Sequence, residues 1–434
     1  MRHLRLLVGP AIIALIAVGC SKGGGGEGDN LGRVSVLGAG EPSEYQALQG
    51  VIDNDINKNA DYVATLESNP DFETQVKIRV EGGNPPDVAL YPQPGSVLEQ
   101  AEAGKAIALE DMGFDIDELT KTFGPYLVGL GEFEGKHYAV PTNVNLKSMI
   151  WYPKDDFDKA GYQIPETFDD LLALSDQIQD DGGTPWCVGF ESGGATGWPA
   201  TDWMEDIMLR TAGLDTYDKW VSHDIPFNDP SVKHAGELFG DIMFHPGWVL
   251  GGADKTPAIA FADAPLPMFE NPPGCWLHRQ ANFINAFFPA DAVAGEDYDF
   301  FPFPAIDDPD QKTALIAGEL AVVFRNSPEV VDFVKQFSDA KVQCDQGSNP
   351  LTSRISPNAD VEPDCYANAS LGKAAETVKG TLQSGDARFD ASDQMPSAVG
   401  SGSFWTGMVK YLQEGPDSLD GVLDEIEQSY PPAG

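Results

Sequence analysis

Three short stretches place a tryptophan among glycine and proline: "ATGWPATDW" around Trp198, "PPGCWLHRQ" around Trp276 and "GSGSFWTG" around Trp405. Large aromatic side chains normally sit in periodic segments that bury an apolar face. Here the backbone is thin and polar, and Asp202, His278 and Arg279 stand close to the first two rings. A pyranose has an apolar face that lies flat on an aromatic ring, and hydroxyls that need charged or amide partners. Ring contacts of this kind contribute about 0.5–1.5 kcal/mol beyond area, and the polar groups set orientation. Core packing is the competing reading for any one of the three. Three together, in loops, point to sugar recognition.

Bond-making chemistry finds less support. "LGAGEPSE" (37–44) follows a strand and precedes a helix, but a dinucleotide fingerprint would need glycine where Ser43 stands. The loop is better read as presenting Glu41 and backbone amides at the carboxyl end of a strand, where α/β sheets bind ligands. "GSGSFWTG" does not form the strand–Ser–helix elbow of a serine hydrolase. A glycosidase needs two poised carboxylates, and with 68 acidic residues such a pair can always be imagined. The six histidines are scattered, and no CxxC occurs, so no metal or other cofactor is expected. The net charge of −41 repels phosphate backbones and argues against nucleic acid.

The elements that must position these residues alternate in type. "RVSVLG", "VKIRV" (76–80) and "PDVALY" (86–91) read as strands. "TFDDLLALSDQIQD" carries a capping box at Thr167 and Asp170 and an apolar stripe of Leu171, Leu174 and Ile178. "SPEVVDFVKQF" opens with Ser327 as cap and Pro328 in the first turn, and "SVKHAGELFGDIMF" spaces Val232, Ala235, Leu238 and Ile242 at helical intervals. Strands alternating with helices predict an α/β architecture with largely parallel sheets. At 434 residues the chain is long enough for two lobes.

The start of the chain reads as an export signal. Arg2 and Arg5 precede "LLVGPAIIALIAV" (6–18), too short for a comfortable membrane span, and small residues lead to Cys20. "AVGC" resembles a bacterial lipobox, with Ala17 where leucine is preferred, and "SKGGGGEGDN" after it is a flexible tether. Residues 1–19 are therefore the expected signal peptide and 20–32 the lipidated cysteine and tether. Four cysteines remain in the exported chain. Of their three pairings we favour Cys187–Cys275 and Cys344–Cys365, the latter being close in sequence.

Taken jointly, these stretches resemble one family over nearly all the mature chain. "VEGGNPPDVALYPQPGSVLEQAEAGKAIALED" (80–111), "GKHYAVPTNVNLKSMIWYPKDDFDKAG" (135–161) and "MPSAVGSGSFWTGMV" (395–409) are similar to extracellular solute-binding proteins of carbohydrate ABC importers, the maltose-binding-protein class. "PWCVGFESGGATGWPATDWMEDIMLRTAG", "PPGCWLHRQ" and "FPFPAID" are most similar to its α-glucoside-binding branch. The resemblance implies a two-lobed class II periplasmic-binding-protein fold with the ligand cleft between lobes. It implies one lobe over 33–141 plus 309–350 and a second over 142–308 plus 351–434, with hinges near 140–145, near 303–308 and in the 350s. Glu41 and Tyr91 would face the cleft from lobe one. Asn145 stands where maltose-binding proteins carry a cleft glutamate. Trp198, Asp202, Trp276, Arg279 and Trp405, with Phe404, would come from lobe two.

The implied function is capture of an α-glucoside or related oligosaccharide outside the cell and delivery to the ABC permease. The implied protein is a monomer, lipid-anchored on the outer face of the cytoplasmic membrane or periplasmic, and not an enzyme. Two rivals are a same-fold binder of a peptide, polyamine or metal chelate, and a secreted glycoside hydrolase.

Overall fold

The computed structural model describes residues 31–40, 42–308 and 312–432. The signal segment, Cys20, the tether before residue 31 and Glu41 lie outside the described residues. None of the described helices is long and apolar enough to cross a membrane.

Among the described residues, nine strands form the two sheets that position the site: β1 (Gly32–Gly38), β2 (Tyr62–Ser68), β3 (Val88–Tyr91), β4 (Ala139–Leu146), β5 (Met149–Tyr152), β6 (His278–Arg279), β7 (Asp299–Pro302), β8 (Ala314–Val323) and β9 (Ala387–Phe389). A six-stranded sheet runs β9-β8-β3-β1-β2, with β4 paired along β8. A separate three-stranded sheet runs β6-β5-β7. The parallel expectation holds for β1 with β2 and β3. It holds also for β8 with β9, but β8 is antiparallel to β3 and β4, and the small sheet is antiparallel throughout. The reason is connectivity. The chain leaves the first sheet along β4, builds the second half, and comes back along β8, so no local crossover forces those strands to run together.

The helices used below are α1 (Pro42–Val51), α2 (Phe72–Glu81), α3 (Pro94–Glu102), α4 (Phe168–Asp180), α5 (Trp198–Ala212), α6 (Pro230–Met243), α7 (Pro328–Phe337) and α8 (Trp405–Glu414). The caps at α4 and α7 form as expected. Thr167 and Asp170 close a reciprocal capping box, and Ser327 accepts from the Val330 N–H. "VKIRV" is not a strand but the second half of α2. Its alternation is too short to outweigh Phe72, Val76 and Val80, which recur every four residues and bury one helical face. The missing strand is β2, whose buried Tyr62 and Ala64 alternate with exposed neighbours.

Each half has its own core. Val34, Val36, Leu90, Val323 and Phe333 pack on one face of the large sheet, and Leu37, Phe72, Ala89 and Leu320 on the other. In the second half α5 and α6 bring Trp203, Met204, Phe239 and Ile242 together. Disulfides join Cys187 to Cys275 and Cys344 to Cys365, with Cα separations of 5.4 Å and 5.2 Å, the pairing expected above.

The stretch "GSGSFWTG" is helical rather than a loop. Residues Ala398–Phe404 form a wide-turn helical segment that runs into α8. Its glycine content serves close packing: a Cβ on Gly400 would sit 1.8 Å from the Ser392 carbonyl oxygen. Glycine therefore lets this segment rest on the 390s backbone. Gly400→Ala should push the two apart and lower stability by about 1–3 kcal/mol. Urea unfolding measures this, and an unchanged midpoint would refute the close-packing account.

Candidate ligand cleft

A cavity of about 200 Å³ lies between the large sheet and the α5 half. Its floor comes from the two strands shared by both halves. On β4 and just beyond it, Asn143, Asn145 and Lys147 alternate with Val144 and Leu146, so all three reach the same side. On β8, Ala317, Gly318 and Glu319 lie opposite, at a register shift between Glu319 and Leu320. The carboxyl ends of β1 and β3 supply Gly40 and Gln93, and Glu44 and Glu73 come from the helices that follow β1 and β2. That is the end of an α/β sheet where ligands bind.

The far wall is aromatic. Trp198 sits in the first turn of α5, its ring 5.3 Å from Phe261 and 5.9 Å from Phe283, and Phe287 packs 5.7 Å from Phe261. Trp405 closes this wall from α8, with Nε1 3.4 Å from Ser392 Oγ. The two tryptophans are tied through Gly197, which has a φ of 112° and lies where a Cβ would come within 2.3 Å of the Trp405 carbonyl oxygen. Only glycine allows both the left-handed turn and that approach.

Beneath the cavity runs a buried ion ladder. Lys147 Nζ donates to Asp202 at 2.7 Å and to Asp390 at 2.6 Å, and sits 5.1 Å from the Trp198 ring centre. Asp202 also faces Arg279 Nη1 at 3.2 Å, Arg279 Nη2 donates to Asp206 at 3.0 Å, and Asp206 pairs with Arg210. Asp202, Glu205 and Asp206 share one side of α5, and all three are fully buried. Glu205 accepts from the Ala391 and Ser392 N–H groups. Burial and neighbouring carboxylates push Glu205 and Asp393 well above the usual carboxyl range. Burial likewise raises Asp202, to about 6, against the opposing pull of Lys147. Asp390 goes the other way: burial opposes its ionisation, but Lys147, Ser392 Oγ and the Asp393 N–H hold it at about 2. Oxygens of Asp202, Glu205 and Asp390 lie within 4.8 Å of one another, a spacing that could hold a cation. The Lys147 ammonium already bonds two of them, so the charge a metal would supply is present.

Of the residues expected at the cleft, Asn145, Trp198 and Trp405 line it together. Glu41 lies outside the described residues, and the others are elsewhere. Phe404 is fully buried against Phe227 and Trp220, at 4.8 Å and 5.7 Å, because helical geometry turns neighbouring side chains to different sides. Asp202 and Arg279 are spent on each other, as buried charges must be paired. Trp276 packs edge-on against Tyr162 at 5.1 Å, and Tyr91 against Phe72 at 5.2 Å. Lys147, Asn143, Gln93, Glu73, Glu319, Asp390 and Asp393 were not anticipated. The signal for two of them was present: polar residues at every second position of "NVNLK", inside an otherwise apolar strand, require a polar space on one side.

A family model described as bacterial extracellular solute-binding protein matches residues 38–343. The alpha-glucosides-binding periplasmic protein AglE of Rhizobium meliloti (strain 1021) is 40% identical over 80% of this chain and 76% of its own. The osmoprotective compounds-binding protein GgtB of Synechocystis sp. is 37% identical over 97% of this chain and 98% of its own. Two solved structures share the fold: RafE in complex with raffinose, with TM-score 0.72 at 17% identity, covering 92% of this chain and 99% of that one, and maltose-bound T. maritima MalE3, with TM-score 0.70 at 16% identity, covering 91% and 99%.

His278, next to Arg279, gives the ladder a pH signature. Its Nδ1 lies 2.9 Å from the Cys187 carbonyl oxygen, and burial pulls its pKa down to about 4. The folded state thus binds fewer protons than the unfolded one between pH 6.5 and 4, and stability falls as pH drops through that window. Wild type should lose up to about 3 kcal/mol more than His278→Gln across it. Denaturant titrations at several pH values measure the difference, and parallel pH profiles would overturn the assignment.

Proposed function

Because the chain belongs to the bacterial extracellular solute-binding protein family, we propose that it captures an α-glucoside or related short oligosaccharide outside the cell and delivers it to an ABC permease. The observation that carries the sugar reading is the pairing of Trp198 and Trp405 with Asn143, Asn145 and carboxylates around one cavity. Rings take the apolar face of a pyranose, and the amide and carboxyl oxygens accept from its hydroxyls. The 40% identity to AglE supports an α-linkage. Members of this family bind solutes rather than transform them.

The lobes are assigned to 33–141 with 309–350 and to 142–308 with 351–434, hinged near 140–145, near 303–308 and in the 350s. The core on the large sheet lies within the first lobe and that around α5 and α6 almost wholly within the second, while a third cluster joins Leu127, Ala314 and Ile316 of the first to Trp151 and Ile284 of the second. The mature protein is a monomer anchored by lipid at Cys20, and mass spectrometry of the membrane fraction should find that residue N-terminal and acylated. An unmodified N-terminus elsewhere would remove the anchor from the proposal.

One observation favours a second reading. Glu44, Glu73, Glu319, Asp390 and Asp393 surround the cavity against a single lysine, an arrangement that also suits a polyamine. A similar question arises from GgtB, described by the osmoprotective solutes it binds. Thermal shift against maltose, trehalose, sucrose, raffinose and spermidine separates these, because a ligand of the folded state alone raises the melting point. We expect a disaccharide to give the largest shift. Trp405→Ala should then weaken that sugar by about 1.5–3 kcal/mol, one to two decades in Kd. Phe404→Ala is the control, expected to lower stability by about 3–5 kcal/mol while leaving the cavity lining in place. A shift with spermidine alone would replace the sugar reading.

A further inference from the structure

Two spaces meet at one pair of side chains. The ligand cavity, at about 200 Å³, is small beside the roughly 300–1,000 Å³ of common ligand pockets. A groove of about 530 Å³ lies on the other side of the cleft wall, between α2, α3 and residues 397–401. Glu73 and Gln93 are the two residues that line both. Gln93 Nε2 donates to Glu73 Oε1 at 3.0 Å, so the pair closes the space between β3 and α2. The two spaces thus share a hydrogen-bonded pair of polar side chains.

Its polar groups are incompletely used. Gln93 is buried, and its Oε1 takes no hydrogen bond among the described residues. The Tyr91 hydroxyl, on the groove side, is also without a partner among them. A buried acceptor left unpaired costs about 1–3 kcal/mol, which a ligand hydroxyl reaching the wall would relieve. The groove beyond is held in shape from both sides: Glu99 on α3 accepts from the Ser397 N–H at 2.8 Å and from its Oγ at 2.9 Å.

We propose that the Glu73–Gln93 pair is the end-stop of the cleft: it limits the ligand to one or two sugar units, and the groove behind it is an extension that the pair closes off. This rests on the α-glucoside reading above. The polar edges of the partition mean that removing it opens a hydrated channel rather than an apolar hole, so longer glucosides gain room without losing the ring contacts at Trp198 and Trp405.

Calorimetric titration of maltose, trehalose, maltotriose and maltotetraose tests this on wild type, Gln93→Ala and Gln93→Asn. Wild type should bind its better disaccharide at least about tenfold tighter than maltotetraose. Gln93→Ala should narrow that ratio to about threefold or less, mainly by improving maltotetraose, with Gln93→Asn intermediate. Melting of the ligand-free proteins is the folding control, and if the alanine variant melts early the asparagine variant carries the comparison. A ratio unmoved by either variant, or a wild type that already binds maltotetraose as tightly, overturns the end-stop alone. A wild type that binds neither disaccharide overturns the α-glucoside reading and the end-stop with it.

Discussion

Lys147 holds a positive charge where almost no water reaches it, and the α5 side of the cleft is arranged around that charge. An isolated buried ammonium would shed its proton. Here two carboxylates accept from it, and the alternation continues through Asp202, Arg279, Asp206 and Arg210. Losing one member of such a chain strands its neighbour, a loss of about 3–5 kcal/mol. The ladder joins α5, β6, the turn after β4 and the segment after β9. It therefore fixes the first turn of α5, and with it Trp198, relative to the shared strands.

The same pairing shapes what the cavity offers a solute. Lys147 and Asp390 face the cavity but satisfy each other, and Arg354 and the Tyr45 hydroxyl bind Glu319 from behind. What remains for the solute is chiefly acceptors: amide oxygens, carboxyl oxygens and hydroxyls along one edge, with rings along the other. A hydroxyl-rich neutral molecule complements such an edge. An anion would meet several carboxylates and one lysine already in use. The strongly acidic exterior pushes in the same direction at long range.

Legibility in the sequence followed the kind of signal. Local chemistry read correctly: the box at Thr167 and Asp170, the cap at Ser327, the strand ending at Gly38 and the two disulfides. Short alternations misled, as at Val76–Val80, where a four-residue recurrence is visible only if Phe72 is counted. The tryptophan stretches were half right. Trp198 and Trp405 reach the cavity, yet their stretches were read as loops when both rings stand on helices and Gly197 and Gly400 serve close backbone approach, which depends on distant segments. Asp202 and Arg279 were recognised as unusual, but whether a charge meets ligand or counter-charge is decided by partners 55 and 73 residues away in sequence. Glu73 and Gln93 carry no local mark at all, since each becomes a wall only when β3 and α2 lie side by side.

In the two-lobed binder proposed above, closure would follow from where the lining residues are mounted. Asn143, Asn145 and Glu319 sit on strands belonging to both halves, Gln93 and Glu44 on the large-sheet side, and Trp198 and Trp405 on the other. A solute touching only one side would bind open and closed forms equally and shift nothing. A sugar that stacks on the tryptophans and gives its hydroxyls to Gln93, Asn143 and the carboxylates gains the second set of contacts only when the halves approach. The difference between the two sets is the free energy available for closing. With rings from one side and acceptors from both, recognition and domain movement would be a single event in the two-lobed binder proposed above.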